Sequence, residues 1–172
     1  MNVKTLVLLV GLLSCSMATA SDETYLKLDI PFNQSTDSKS EAEAWGMCGS
    51  AYAFGMYLVQ GNDSLVQRYA RSSRGARIAS IMSNFKRSMI EQGIDGADMP
   101  NTDSELWKKS RKFGNTLFAD QTSILMTDAQ VDRESLNTKL LNTLSQCDQN
   151  VDSQNYYVNF WHYYATISLL AD

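Results

Sequence analysis

His162 is the only histidine of the chain, and it lies inside Phe160-Trp161-His162-Tyr163-Tyr164. An imidazole there acts as a general base only with a nucleophile or carboxylate within hydrogen-bond reach. Cys48 or Cys147 would supply the nucleophile of a Cys–His pair if the thiols were free. The chain has three cysteines, and the first, Cys15, falls in an N-terminal stretch that reads as a leader. The other two are then an even pair, which in an oxidising compartment reads as a Cys48–Cys147 disulfide. A bonded sulfur is no nucleophile. These residue types favour a structural or surface histidine, and no catalytic residue is assigned.

Two further groupings fall short of a site. Asp95, Asp98, Asn101, Asp103 and Glu105 crowd oxygens into a loop and helix start, yet the spacing lacks the alternating acids and central glycine of a calcium loop. Acids at a helix N-terminus are explained by the favourable end of the helix dipole. One histidine and two bonded cysteines cannot make a zinc site. Ser83-x-x-Lys86 resembles the Ser-x-x-Lys core of penicillin-binding enzymes, but the Ser-Asp-Asn and Lys-Thr-Gly elements those enzymes need are missing. There is no haem-attachment motif, glycine-rich phosphate loop, His-Glu-x-x-His or Gly-x-Ser-x-Gly. No metal and no cofactor is expected.

What remains is surface. Arg68, Arg71, Arg74 and Arg77 recur every third residue, so on a helix they fan across about half its girth. Lys86 and Arg87 extend the basic segment. Some of these groups would pair with acidic segments, and the functional reading is a docking surface for an anionic partner, an acidic protein or lipid headgroups. The aromatic run gives an alternative, a ligand pocket lined by Tyr157, Trp161 and Tyr164. Aromatic stripes at helical spacing more often belong to a core.

The first twenty residues set where such a surface would act. Lys4, the apolar Leu6 to Leu13 and the small-residue site Ala18-Thr19-Ala20 form a secretory signal. The apolar stretch is shorter than the roughly 20 residues a membrane span requires, and no later run reaches that length. Leu12-Leu13-Ser14-Cys15 resembles the lipobox of bacterial lipoproteins, in which the cysteine is acylated, so a lipid anchor at Cys15 is the alternative to cleavage after Ala20. Bulky Leu13 departs from the usual small residue there. Asn33-Gln34-Ser35 and Asn62-Asp63-Ser64 would accept glycans only in a eukaryotic secretory pathway, and the short leader favours a bacterial periplasm or secretion.

The leader carries one of 15 basic residues and none of 19 acids, so the remainder has a net charge of −5. That argues against general nucleic-acid binding, which needs a basic footprint. Residues 21–172 suit one domain, long enough to bury roughly 68–70% of the unfolded surface. Charge is uneven, with six basic residues and one acid between Ser64 and Gln92, and eleven acids and six basic residues from Gly93 to Asp172.

Helix signals dominate after an extended lead-in, Ser21 to Lys39, in which Leu26, Leu28 and Ile30 alternate and Pro31 interrupts. Without a clear second strand this segment drapes over helices. Capping boxes at Ser38-x-x-Glu41 and Ser40-x-x-Glu43 open a helix to about Gln60, with Trp45, Cys48, Tyr52, Met56 and Val59 on one face. Its glycines, Gly46, Gly49 and Gly55, allow close helix approach. Ser64-x-x-Gln67 starts a second helix whose apolar sides point nearly oppositely along its two halves. It must break near Ser72 to Gly75 or pack on two sides. Thr102-x-x-Glu105 opens a third helix to about Met126, with Leu106, Phe113, Leu117 and Ile124 inward. Thr127-x-x-Gln130 starts a fourth, with Leu136, Leu140, Leu144 and Cys147 inward. The last runs from about Ser153 to Ala171, with Tyr157, Phe160, Tyr164, Ile167 and Ala171 as its stripe. It is apolar nearly all round and should be the buried central helix.

The expectation is an all-α bundle of four to six helices, exported, not an enzyme, and binding another macromolecule, a protein partner in the cell envelope. An inhibitor or immunity-type role fits by size and address alone. The alternatives are a small-ligand-binding bundle using the aromatic last helix, and then a small hydrolase with hidden carboxylates.

Overall fold

A computed structural model of the chain describes residues 23–28, 37–95 and 98–170, the side chains of 167–170 excepted. The leader with Cys15, most of the lead-in including Ile30 and Pro31, and the Ile167 and Ala171 part of the last stripe lie outside the described residues. Those described form an all-α bundle of five helices: α1 (Ser38–Leu58), α2 (Asp63–Glu91), α3 (Glu105–Val131), α4 (Arg133–Gln149) and α5 (Val151–Leu170).

The helix starts use other caps than the spacing predicts. Asp37 caps α1, accepting from the Lys39 backbone N–H at 3.0 Å. Glu41 is no capping residue, for it is buried, and its Oε1 accepts from the Tyr157 hydroxyl at 2.9 Å. Asn62 caps α2 and Ser104 caps α3, each accepting from the backbone N–H three residues on. Helix α3 does not end near Met126. The Thr127 hydroxyl donates to the Ser123 carbonyl at 2.9 Å instead of opening a helix, and α4 begins after Asp132, which caps Glu134 and Ser135. Gly61 and Gly93 take positive φ, 96° and 66°, in the turns that close α1 and α2.

The central helix is α1, not α5. Thirteen of its 21 residues are buried, while α5 exposes Tyr156 and Tyr163 by 58% and 61%. The reason is size. At Gly46, Gly49 and Gly55 a Cβ would stand 2.6 Å from Gln121 Oε1, 3.1 Å from Arg77 Cγ and 2.9 Å from Tyr69 Cε2, so three neighbours close onto α1 where side chains are missing. Hydroxyls complete the contact. Ser73 and Ser80 of α2 donate to the Gly49 and Ala42 carbonyls at 2.8 and 2.7 Å, and Ser50 donates to the Phe118 carbonyl at 3.1 Å. Helix α2 is unbroken and packs on several sides, against α1, α3 and α5.

The inward face of α3 is Trp107, Ser110, Gly114, Gln121 and Leu125. Leu106, Phe113 and Leu117 flank it half-buried, and Ile124 is exposed. The expected stripe is displaced because small and polar residues occupy the line of closest approach, as at Gly114, where a Cβ would stand 2.5 Å from Ile81 Cγ1.

Cys48 and Cys147 are fully buried and joined, S–S 2.02 Å and Cα–Cα 5.7 Å, tying α1 to α4 across 99 residues. Beside the bond Asp148 accepts from Tyr52 at 2.6 Å and from Arg68 at 2.9 Å. Leu136, Leu140 and Leu144 are buried on the same side of α4. The described part of the lead-in lies along α3 and α4. The Tyr25 N–H donates to Thr143 Oγ1 at 3.0 Å, and its hydroxyl donates to Asp128 at 2.7 Å.

Candidate functional site

The four arginines of α2 divide by direction, as their spacing requires. Arg68 faces α4 and its ion pair with Asp148. Arg77 faces α3, where it donates to Asn115 Oδ1 at 3.1 Å and its guanidinium lies 4.4 Å from the Phe118 ring centroid. Arg71 and Arg74 are exposed, and among the described residues neither takes part in an ion pair. Arg74, Arg77, Ile78 and Ile81 stand at i, i+3, i+4 and i+7, so they share one face of α2.

That face forms one wall of a groove with α3 and α5. A cup of about 220 Å³ is lined by Ile78, Ile81, Trp107, Arg111, Asn115 and Trp161. Trp107 and Trp161 are stacked, ring centroids 4.9 Å apart and planes 9° from parallel. Trp107 is 6% exposed and packs inward on Phe85 and Tyr164, whereas Trp161 is half-buried. The rings thus run from core to surface as one rigid stack. Next to the cup a shallower cleft of about 340 Å³ is lined by Lys108, Arg111, Lys112, Asn115 and Thr116. Arg111 and Asn115 belong to both.

The electrostatics are one-sided. No acid occurs in α2 between Ser64 and Ile90, in α3 between Leu106 and Ala119, or in α5 between Ser153 and Leu170. The carboxylate closest in sequence, Glu105, pairs with Lys108 at 3.2 Å, both side chains more than half exposed, and such pairs contribute little. An acidic chain therefore carries a cationic groove with an aromatic floor. The arrangement can hold an anionic group beside an apolar one.

The remaining sequence candidates fall elsewhere. Tyr157 and Tyr164 are 2% and 1% exposed and belong to the core; of the three proposed pocket residues only Trp161 lines the cup. His162 is exposed on α5. Ser83 is fully buried while Lys86 is exposed. Among the described residues no cluster of His, Cys, Asp and Glu is arranged to hold a metal ion, and no helix is long and apolar enough to cross a membrane. Two other depressions lack the combination of charge and aromatic floor. One, between α1, α3 and the lead-in, mixes Lys27 with Glu43 and Asp120; the other, between α1, α2 and α4, is lined by Leu58, Tyr69 and Leu141 without a charge.

The sequence reading found Arg74, Arg77 and Trp161 but missed Lys108, Arg111, Lys112 and Asn115. Their signal is the run Lys108-Lys109-x-Arg111-Lys112, which averaging over an acidic segment conceals. No protein-family model, curated protein or solved structure matches the chain.

Proposed function

We propose that this chain is an exported, non-enzymatic interaction protein that binds an acidic protein partner in a bacterial envelope through the α2/α3/α5 groove. One observation carries the reading: the cationic groups of α3, Lys108, Arg111 and Lys112, stand beside a tryptophan stack shared by α3 and α5, Arg77 of α2 is hydrogen-bonded to Asn115 of the same lining, and that lining holds no carboxylate. Interface centres favour arginine and tryptophan in this way. Export is supported by the secretory character of Met1 to Ala20 and by the Cys48–Cys147 bond, of a kind that persists where thiols oxidise. An inhibitor or immunity-type role asks for nothing more than this stapled scaffold and its surface.

The test is co-purification of the tagged protein from the envelope of its host, beside an Arg74→Glu/Arg77→Glu variant. The reading expects an acidic protein that is recovered with the wild type, released by raised salt, and lost with the variant. Identical recovery with both proteins contradicts it.

A further inference from the structure

We infer that the cup is the specificity pocket of this groove and takes one large apolar side chain, a phenyl or branched aliphatic group, from a partner segment whose flanking residues are acidic. The inference rests on the reading of the groove as a docking surface and adds what the partner must present. Size sets the occupant. At about 220 Å³ the cup is smaller than the roughly 300–1,000 Å³ of pockets that enclose whole small ligands, so it suits a side chain delivered by a larger body. Its apolar walls, Ile78, Ile81 and the Trp107–Trp161 stack, offer contact area and no charge to an inserted group.

Charge sets the flanks. Arg111 and Asn115 stand where the cup meets the basic cleft. Asn115 spends its oxygen on Arg77, which leaves its amide N–H groups to donate to an incoming carboxylate. Arg77 itself is held by that bond and by the Phe118 ring. A guanidinium already fixed loses less freedom on binding. Lys108 and Lys112 continue the positive surface along the cleft, and Arg74 lies one turn before Ile78 on the same face of α2. An acidic segment with a single apolar anchor is complementary to this surface throughout, and a basic or fully polar one is not.

The experiment is a titration of the purified protein, followed by tryptophan fluorescence, with three blocked pentapeptides: Asp-Glu-Phe-Glu-Asp, the same with Ala at the centre, and the same with Lys in place of every acid. Trp161 is half-buried while Trp45 is fully buried, so cup filling reads out as a blue shift of the exposed fraction. We expect the Phe peptide to bind about tenfold more tightly than the Ala peptide, the order set by burying one aromatic side chain. No binding of the Lys peptide is expected. Asn115→Phe, at an exposed helix position, should fill the cup from within and abolish the preference. Trp161→Ala, followed by calorimetry because it removes the fluorescent reporter, should do so by removing a wall. Equal binding of the Phe and Ala peptides would overturn the pocket inference while the docking surface stands. Loss of all acidic-peptide binding together with unchanged partner recovery by Arg74→Glu/Arg77→Glu would overturn both. Phenylpropionate binding as tightly as the Phe peptide, or phosphatidylglycerol vesicles binding where the Phe peptide does not, would also overturn the inference, in favour of a free small ligand or a lipid surface.

Discussion

Glu41 of α1 meets Tyr157 of α5 inside the core, Oε1 2.9 Å from the phenolic oxygen, with both residues at most 4% exposed. Burial raises the carboxyl above its ordinary range, outweighing the favourable influence of Tyr157, Ser83, Trp45 and the charge on Lys86. A carboxyl whose folded pKa is raised supports the fold fully below its unfolded value. That support is lost as pH rises through the folded one. Glu41→Gln keeps an acceptor for Tyr157 and removes the charge. It should raise the melting temperature at neutral pH by about 2–4 °C for each kcal/mol gained, with the two proteins converging near pH 4. Melting curves across pH 4 to 8 check this.

The disulfide closes a long loop, Cys48 to Cys147, 99 residues apart. In the chain-entropy model such a staple contributes about 4–5 kcal/mol. Cys48→Ala/Cys147→Ala should therefore melt well below the wild type, and mass spectrometry of the wild type without reductant should show no free thiol at either position.

Close approach makes one helix glycine irreplaceable. Alanine is the better helix former by about 1 kcal/mol, yet Gly114→Ala should destabilise by about 1–3 kcal/mol, because its Cβ would stand 2.5 Å from Ile81 Cγ1, a side-chain atom held next to the backbone. Ile81→Ala in the same chain should recover part of that loss. A double-mutant cycle by chemical denaturation measures the coupling.

Thr143 anchors the lead-in. It is fully buried, accepts from the Tyr25 N–H at 3.0 Å and donates to the Lys139 carbonyl at 2.7 Å. Thr143→Val leaves that N–H without its acceptor, a loss of about 1–3 kcal/mol. Faster trypsin cleavage after Lys27, with the bundle intact, is the expected outcome.

Apolar periodicity made much of this fold legible. Cys48 and Cys147 each sit on a stripe of large apolar residues, so their burial could be read from spacing, while their pairing was legible from the even count left once Cys15 falls in the leader. The inward face of α3 could not, because Ser110, Gly114 and Gln121 lie along the line of closest contact and carry no hydrophobic signal. Helix α5 misleads in the other direction. Its aromatic residues count as apolar, but Tyr156 and Tyr163 keep their rings at the surface, as amphipathic side chains do. Glu41 fits a capping box by position and is in fact a core acid, a choice made by Tyr157 from far along the chain. The groove was visible only in parts. Arg77 and Trp161 each stood out locally, yet Arg111 and Asn115, which join the charge to the aromatic floor, take their meaning from three helices brought together.

The most direct measurement is site-specific photo-crosslinking in exporting cells, with the reactive group placed at Thr116, exposed in the basic cleft, or at Leu141, exposed on α4. A discrete adduct with an acidic envelope protein from position 116, abolished by Arg111→Glu, and none from position 141, is the expected result. An adduct that survives Arg111→Glu, or one formed from position 141 alone, would contradict it.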